Sequence, residues 1–247
     1  MERGVASPFT LNFGQFPLWS PDGRTIVFSS GGPIYNLSRK DSSGAGAEQR
    51  LTPSPNSQWA NDWSRDGRWL LYTYITPDSQ RDFWVFPVTP EGKPAPDATP
   101  RRYLRTPANE GSGRFSPEDA PRWVAYHSDE TGRWEVYIQA FPEPRGVRQI
   151  STGGGRYPQW GADAGELFYV SLDNKLMLVN LKMGADTVEP STPRELFPLP
   201  AMDTGYCPYD TTLDGRRFLV RATPERGASQ PLTVIINWPA LLKEVKR

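Results

Sequence analysis

Histidine and cysteine occur once each in this chain of 247 residues, as His127 and Cys207. One cysteine excludes an internal disulfide framework, and one of each leaves too few ligands for a zinc site built from Cys and His clusters. A serine hydrolase needs a base beside its nucleophile, and no G-x-S-x-G elbow accompanies the single histidine. His127 follows the apolar run WVAY and precedes SDETGR, which reads as a strand-end residue in a loop. Net charge is absent as well: 28 basic and 28 acidic residues cancel, so no electrostatic footprint for nucleic acid or an anionic membrane is expected. Long apolar runs are missing too. The opening MERGVASPFTLNFGQ has no core of signal-peptide length and no run approaches a membrane span, so no membrane insertion is expected and the chain as it stands reads as cytoplasmic.

What is abundant is turn chemistry. The chain holds 22 glycines, 26 prolines and 9 tryptophans, spread along its length rather than gathered in a linker, the mixture that many short strands separated by turns produce. An internal period accounts for it. WSPDGRTIVF at Trp19 aligns with WSRDGRWLLY at Trp63, FSPEDAPRWVAY at Phe115, WGADAGELFY at Trp160 and a worn copy, TTLDGRRFLV, at Thr211. The acidic residues of these turns, Asp22, Asp66, Glu118, Asp163 and Asp214, are 44 to 52 residues apart. After each motif comes a second alternating run, as in DFWVFPV (82–88), WEVYIQAF (134–141) and KLMLVNL (175–181), then a short closing strand such as RQIST (148–152) or RELFPL (194–199). Each unit is therefore about four strands.

In Ser-Pro-Asp-Gly the serine supplies a side-chain acceptor, proline presets φ, and glycine takes φ > 0. Such a motif is hairpin hardware, so its acids are read as architecture rather than catalysis. The runs TIVF, WLLY, WVAY and ELFY are apolar enough to be covered on both faces, as between the stacked blades of a propeller. The expected fold is an all-β propeller of about five four-stranded blades, one domain over residues 1–247, with repeats near 12–54, 55–106, 107–152, 153–200 and 201–247. The last unit offers three strands, the third at Leu232 to Trp238, and residues 1–11 hold an orphan run, Val5 to Leu11, that would complete it and close the ring. An arc cut from a larger propeller is the alternative.

These units resemble the PD40 (WD40-like) repeats of TolB-like propellers. The run Ser128 to Tyr169 and the ending Pro231 to Val245 are similar to the C-terminal repeat region of bacterial membrane serine/threonine kinases. The resemblance implies a propeller with a sensing or protein-binding role, linked to a kinase in its relatives, and a periplasmic place if the chain belongs to such a kinase. No glycine-rich loop with its lysine, no HRD and no DFG triplet occurs, so signalling output would come from another chain.

Propeller geometry gathers the loops that enter each blade and those between second and third strands at one mouth of the axial channel. That rule selects Trp59, Asn61, Arg81, Arg114, Asp129, Glu130, Arg156, Tyr157 and Tyr206, with Trp59, Arg156, Tyr157 and Tyr206 foremost because aromatic and arginine side chains anchor interfaces. The expected role is a non-catalytic module that binds or senses a protein or small ligand, without metal or cofactor. The alternative is a five-bladed glycoside hydrolase with channel carboxylates drawn from Asp62, Asp82, Asp129, Glu130 and Asp203. STGGGRYP (151–158) lacks the Lys-Ser/Thr of a phosphate loop and reads as a blade-to-blade link.

Overall fold

The computed structural model describes residues 8–10, 12–75, 81–200, 206–212 and 214–222, and every regular element among them is a β-strand. The first sheet contains β1 (Gly14–Trp19), β2 (Thr25–Gly31), β3 (Tyr35–Asp41) and β4 (Gln49–Arg50), and the second β5 (Gln58–Trp63), β6 (Trp69–Tyr74), β7 (Asp82–Pro87) and β8 (Arg101–Leu104). The third holds β9 (Glu110–Phe115), β10 (Trp123–Ser128), β11 (Glu135–Ala140) and β12 (Arg148–Gln149). The fourth holds β13 (Arg156–Trp160), β14 (Glu166–Val170), β15 (Lys175–Met183), β16 (Val188–Pro190) and β17 (Arg194–Pro198), and a hairpin follows, β18 (Tyr209–Thr211) with β19 (Phe218–Val220). All neighbours are antiparallel and, β16 aside, adjacent in sequence, which is the meander of a propeller blade. The strand β16 was not legible in the sequence. It exists because β15 outruns its partner: β17 covers Lys175 to Leu178, and Val188–Pro190 pairs the overhang Leu181 to Met183.

The alternation of side chains along the second strand of each sheet divides them between two cores. In β6, Leu70 and Tyr72 face the first sheet, packing with Val27 and Leu37, while Leu71 faces the third with Phe83, Val124 and Tyr126. In β10, Val124 and Tyr126 belong to that core, and Trp123 and Ala125 to the next, shared with Leu167 and Tyr169 of β14. Phe168 and Val170 then turn to Tyr209 and Phe218 of the last hairpin. These strands are thus buried on both faces, as their unbroken apolar runs require. The stretches Val5 to Leu11 and Leu232 to Trp238 fall largely or wholly outside the described residues.

The repeated turn is held as its residues dictate. The Ser20 hydroxyl donates to Asp22 at 2.6 Å and accepts from the Thr25 amide at 2.9 Å, and Asp22 takes the Arg24 amide at 3.0 Å. Ser64, Asp66, Arg68 and Trp69 repeat the pattern at 2.6, 3.0 and 2.9 Å. Gly23 and Gly67 sit at φ 70° and 74°, but differ in surroundings: a Cβ on Gly23 meets nothing, whereas one on Gly67 lies 2.9 Å from the Pro90 backbone. Gly23→Ala is therefore expected to cost about 1 kcal/mol from backbone strain alone. Gly67→Val adds a collision and is expected to cost about 2 to 4 kcal/mol. Denaturant melts of the two variants check this, and equal midpoints would contradict the turn geometry.

Candidate functional site

The first strands of successive sheets pack side by side, β1 on β5, β5 on β9 and β9 on β13. Each carries one extra residue relative to its partner strand: between Gln15 and Leu18, Ala60 and Asp62, Gly111 and Arg114, and Arg156 and Gln159. These bulges put Phe16, Ser112 and Tyr157 at φ between 50° and 57°, a conformation that bulky residues seldom hold unless their surroundings fix it. A bulge also strips a backbone amide of its ladder partner, and a buried amide must find another. The Ala60 amide donates to Ser29 of the preceding sheet at 2.9 Å, and the Tyr157 amide donates to Nδ1 of His127 at 3.1 Å.

Ser29 and His127 occupy the same register of β2 and β10, so the lone histidine is a seam residue. It is not the loop residue that its flanking sequence suggests: it lies within β10, 6% exposed, edge-on to Trp134 at 4.8 Å and to Tyr157 at 5.5 Å. Gly111 leaves no room beside it, since a Cβ there would stand 2.6 Å from its Nε2. Burial, then the positive charges of Arg156, Arg81 and Arg114, hold the imidazole down to about 3, so it stays neutral.

Around His127 lie most of the residues that the sequence singled out. Trp59 at the start of β5 packs on Phe16 with ring centroids 5.8 Å apart and carries the Arg81 guanidinium 5.1 Å above its centre. Tyr206 also packs against Phe16, ring centroids 5.4 Å apart and tilted, and its hydroxyl donates to Gln15 at 2.6 Å, joining segments 191 residues apart in sequence. Arg156 lies 5.4 Å over Trp134, and its Nε is buried without a hydrogen-bond partner among the described residues. Tyr157 accepts the Tyr209 hydroxyl at its carbonyl, 2.9 Å, and so ties the fourth sheet to the last hairpin.

Asp129 takes the amide and side-chain nitrogen of Asn109 at 2.8 and 2.9 Å, and with Glu130 it lines an open recess beside Thr106 and Pro107. Asn61 is spent internally, its Nδ2 donating to Trp59 O and to Thr73 at 2.9 and 2.8 Å. Phe16, His127 and Trp134 are the members that sequence reasoning missed. Phe16 is placed by the bulge of β1 and Trp134, just before β11, by its ring contact with His127 and the Gly155 amide at its carbonyl, neither of which leaves a local motif.

One register deeper, the residue before each turn-preceding position forms a polar layer in four of the five repeats, Asp62, Arg114, Gln159 and Asp210, with Leu18 in the first. Arg114 donates from Nε to Gln159 at 3.0 Å and from its terminal nitrogen to the Asn61 carbonyl. Asp62 accepts the Phe115 amide at 2.7 Å, and burial raises its carboxyl to about 6 against the opposing pull of Arg114. A repeating register could have exposed this layer in the sequence. Asp82 opens β7 near Glu110, and Asp203 lies outside the described residues. Among the described residues no group of three or more His, Cys, Asp or Glu side chains is placed to hold a metal ion.

No protein-family profile matches the chain, and no curated protein matches it. Solved structures do. TolB from Acinetobacter baumannii aligns with a TM-score of 0.58 at 14% identity, over 84% of this chain and 48% of TolB. An oligogalacturonate lyase in complex with manganese aligns at 0.56 and 14%, over 87% of this chain and 61% of the lyase. A puromycin hydrolase aligns at 0.55 and 15%, over 76% and 33%. This chain thus spans about half the length of TolB and a third of the hydrolase. The protein is a β-propeller, and at these identities the likeness is one of fold alone.

Glu110 gives the site a measurable pH signature. It is fully buried, bonded by Thr106 at one oxygen, with its Oε2 unpartnered among the described residues. Burial first, then Asp82, Glu130 and Asp129, raises its carboxyl to about 8. An acid with a raised folded pKa binds its proton more tightly when folded, so stability falls as pH rises from about 4.5 through 8. Glu110→Gln is expected to flatten this fall by on the order of 3 to 5 kcal/mol. Melting temperatures of parent and variant from pH 5 to 8 test it, and parallel curves would contradict the assignment.

Proposed function

We propose that this propeller is a non-catalytic binding module whose ligand or protein partner seats at the axial mouth formed by Trp59, Phe16, Arg81, Tyr206, Arg156 and Trp134. The reading rests on one observation above all: guanidinium groups stacked on aromatic rings, drawn from separate sheets, meet around a buried neutral histidine. Stacked arginine and tryptophan are the side chains that most often carry binding energy. The Tyr206 contact to Gln15 and Phe16 supports five blades closing on themselves, which would make the mouth a continuous rim.

The sequence likeness of Ser128 to Tyr169 to the repeat regions behind bacterial kinases supports a sensing role, with output passed to another domain or chain. Asp62 is the group that favours the glycoside hydrolase alternative, because its carboxyl is raised to about 6 and senses Asp210. Against that, Asp62 already accepts the Phe115 amide and faces Arg114, a structural duty that a general acid could not give up freely.

A library of sugars, metabolites and short peptides, screened by thermal shift on the parent, Trp59→Ala and Arg81→Ala, separates these readings. Stabilising compounds are expected to lose about tenfold or more in affinity in both variants, the cost of one anchor contact, and to be recovered unchanged after long incubation. Compounds indifferent to both substitutions would remove the mouth as the site. Cleavage of a bound sugar, lost in Asp62→Asn, would replace the binding reading with the hydrolase.

A further inference from the structure

The chain is neutral overall, yet three arginines from two different sheets and the loop entering β7 lie near His127: Arg156 caps Trp134, whose ring is 4.8 Å from the imidazole, the Arg81 carbonyl accepts the amide of Glu110 beside the Gly111 that backs the imidazole, and Arg114 follows on the same strand. Arg81 precedes β7, Arg114 lies on β9 and Arg156 opens β13. Elsewhere in the fold even exposed arginines are matched by buried acids: Arg133 holds Glu135 at 2.6 Å, and Arg102 lies 3.9 Å from Asp82. None of the three at the mouth has a carboxylate within ion-pair distance among the described residues.

What they have instead is neutral. Arg114 rests on Gln159 and on the carbonyls of Asn61 and Gly113, Arg81 on the face of Trp59, and Arg156 on the face of Trp134. Of the nearby acids, Asp129 is bonded to both nitrogens of Asn109 and Asp62 to the Phe115 amide, burial pushes the Glu110 carboxyl up to about 8, and Glu130 faces the open recess beside Thr106. Arg156 also keeps a buried Nε without an acceptor, so the fold leaves this cation incompletely satisfied. Stacking fixes the plane of a guanidinium and leaves its edge donors available, the arrangement suited to two-point binding of an oxyanion.

From this geometry we infer that the mouth binds an anionic group, a carboxylate or a phosphate, between Arg81 and Arg156. Arg114 supplies further positive charge from the layer below. The inference rests on the mouth being the binding site and adds the chemistry of what enters it. Trp59, Phe16 and Tyr206 then receive the body of the ligand that bears the anion. His127 does not contribute charge, because the same arginines and its burial keep it neutral. It is instead a reporter, the one imidazole in the chain, seated where a bound anion would offset the field that holds it neutral.

The experiment is a titration of the full chain, isotopically labelled at histidine, in chloride-free buffer, with inorganic phosphate and with succinate as separate probes. The His127 Cε1–H resonance is expected to shift saturably with one probe or both, and the response to weaken with added salt. A response to phosphate alone identifies a phosphate ligand, and one to succinate alone a carboxylate. Arg81→Gln and Arg156→Gln are each expected to weaken the apparent affinity about tenfold or more, and Arg156→Lys less than Arg156→Gln. The parent melting temperature, retained in the variants, shows that they fold. No saturable shift with either probe, or an unchanged shift in the Arg81→Gln/Arg156→Gln double variant, overturns the inference. Should a neutral compound still bind and be lost in Trp59→Ala, the anion chemistry fails while the mouth stands as the binding site.

Discussion

The second strands of the first four sheets are buried on both faces, and the rest of the structure follows from how that is done. A strand such as Leu70–Leu71–Tyr72 sends alternate side chains into two different cores, one shared with the sheet before and one with the sheet after. Neither core belongs to a single repeat. Val27 and Leu37 are covered only because Leu70 and Tyr72 arrive from the next unit, and Leu71 is covered only because Val124 and Tyr126 do. Stability is therefore distributed over interfaces between neighbours, as in other repeat architectures, and the serial order of the sheets is fixed by which pairs of apolar runs meet.

The inner strands face a different problem. They reach the cores mainly at their ends, through Trp63, Phe115 and Trp160, and each carries one surplus residue before that end. The surplus residue disturbs the ladder, so its amide needs a partner from outside its own sheet. Ser29 and His127 provide one from the preceding sheet. Thr73, in the equivalent register, instead receives the Asn61 side chain within its own sheet. The same local event that bends the strand also places Phe16 and Tyr157 at the mouth with a positive φ. Site geometry and blade-to-blade seam are thus two results of one distortion, which explains why the residues around His127 serve both packing and exposure.

This division also sets what the sequence could reveal. The turns were legible because Ser, Asp and Gly each have one local task, and the hydrogen bonds of Ser20, Asp22 and Ser64 are made within five residues of chain. The doubly buried strands were legible because burial on both faces leaves an unbroken apolar run. Trp59, Arg81, Arg156 and Tyr206 were selected by a rule about loops, and the structure places Arg81 over Trp59 and Arg156 over Trp134. His127 was misplaced because its role is set by an amide 30 residues ahead, a relation with no local trace. Phe16 was missed because an aromatic in a left-handed conformation is a consequence of the bulge and cannot be inferred from a side-chain pattern. The polar layer of Asp62, Arg114, Gln159 and Asp210 lay in plain register with the turns, but it takes the five repeats aligned column by column to show it.

The positions that make the mouth are not the positions that make the cores. Most core residues lie on the second and third strands, with Ala60, Trp63, Phe115 and Trp160 added from the first, whereas Gln15, Trp59 and Arg156 precede the bulge and lie outside these clusters, and Arg81 and Asp129 stand outside the named strands. Such positions can change chemistry without changing the packing that orders the sheets. A lyase and a hydrolase among the structures that share this fold are consistent with that separation, and they show why the fold cannot specify the activity. What specifies it is the set of side chains at the free registers. Here those registers hold arginines seated on tryptophans, while Asp129 and Asp62 are bound to asparagine and backbone nitrogens. The aromatic faces hold these guanidinium groups without neutralising them.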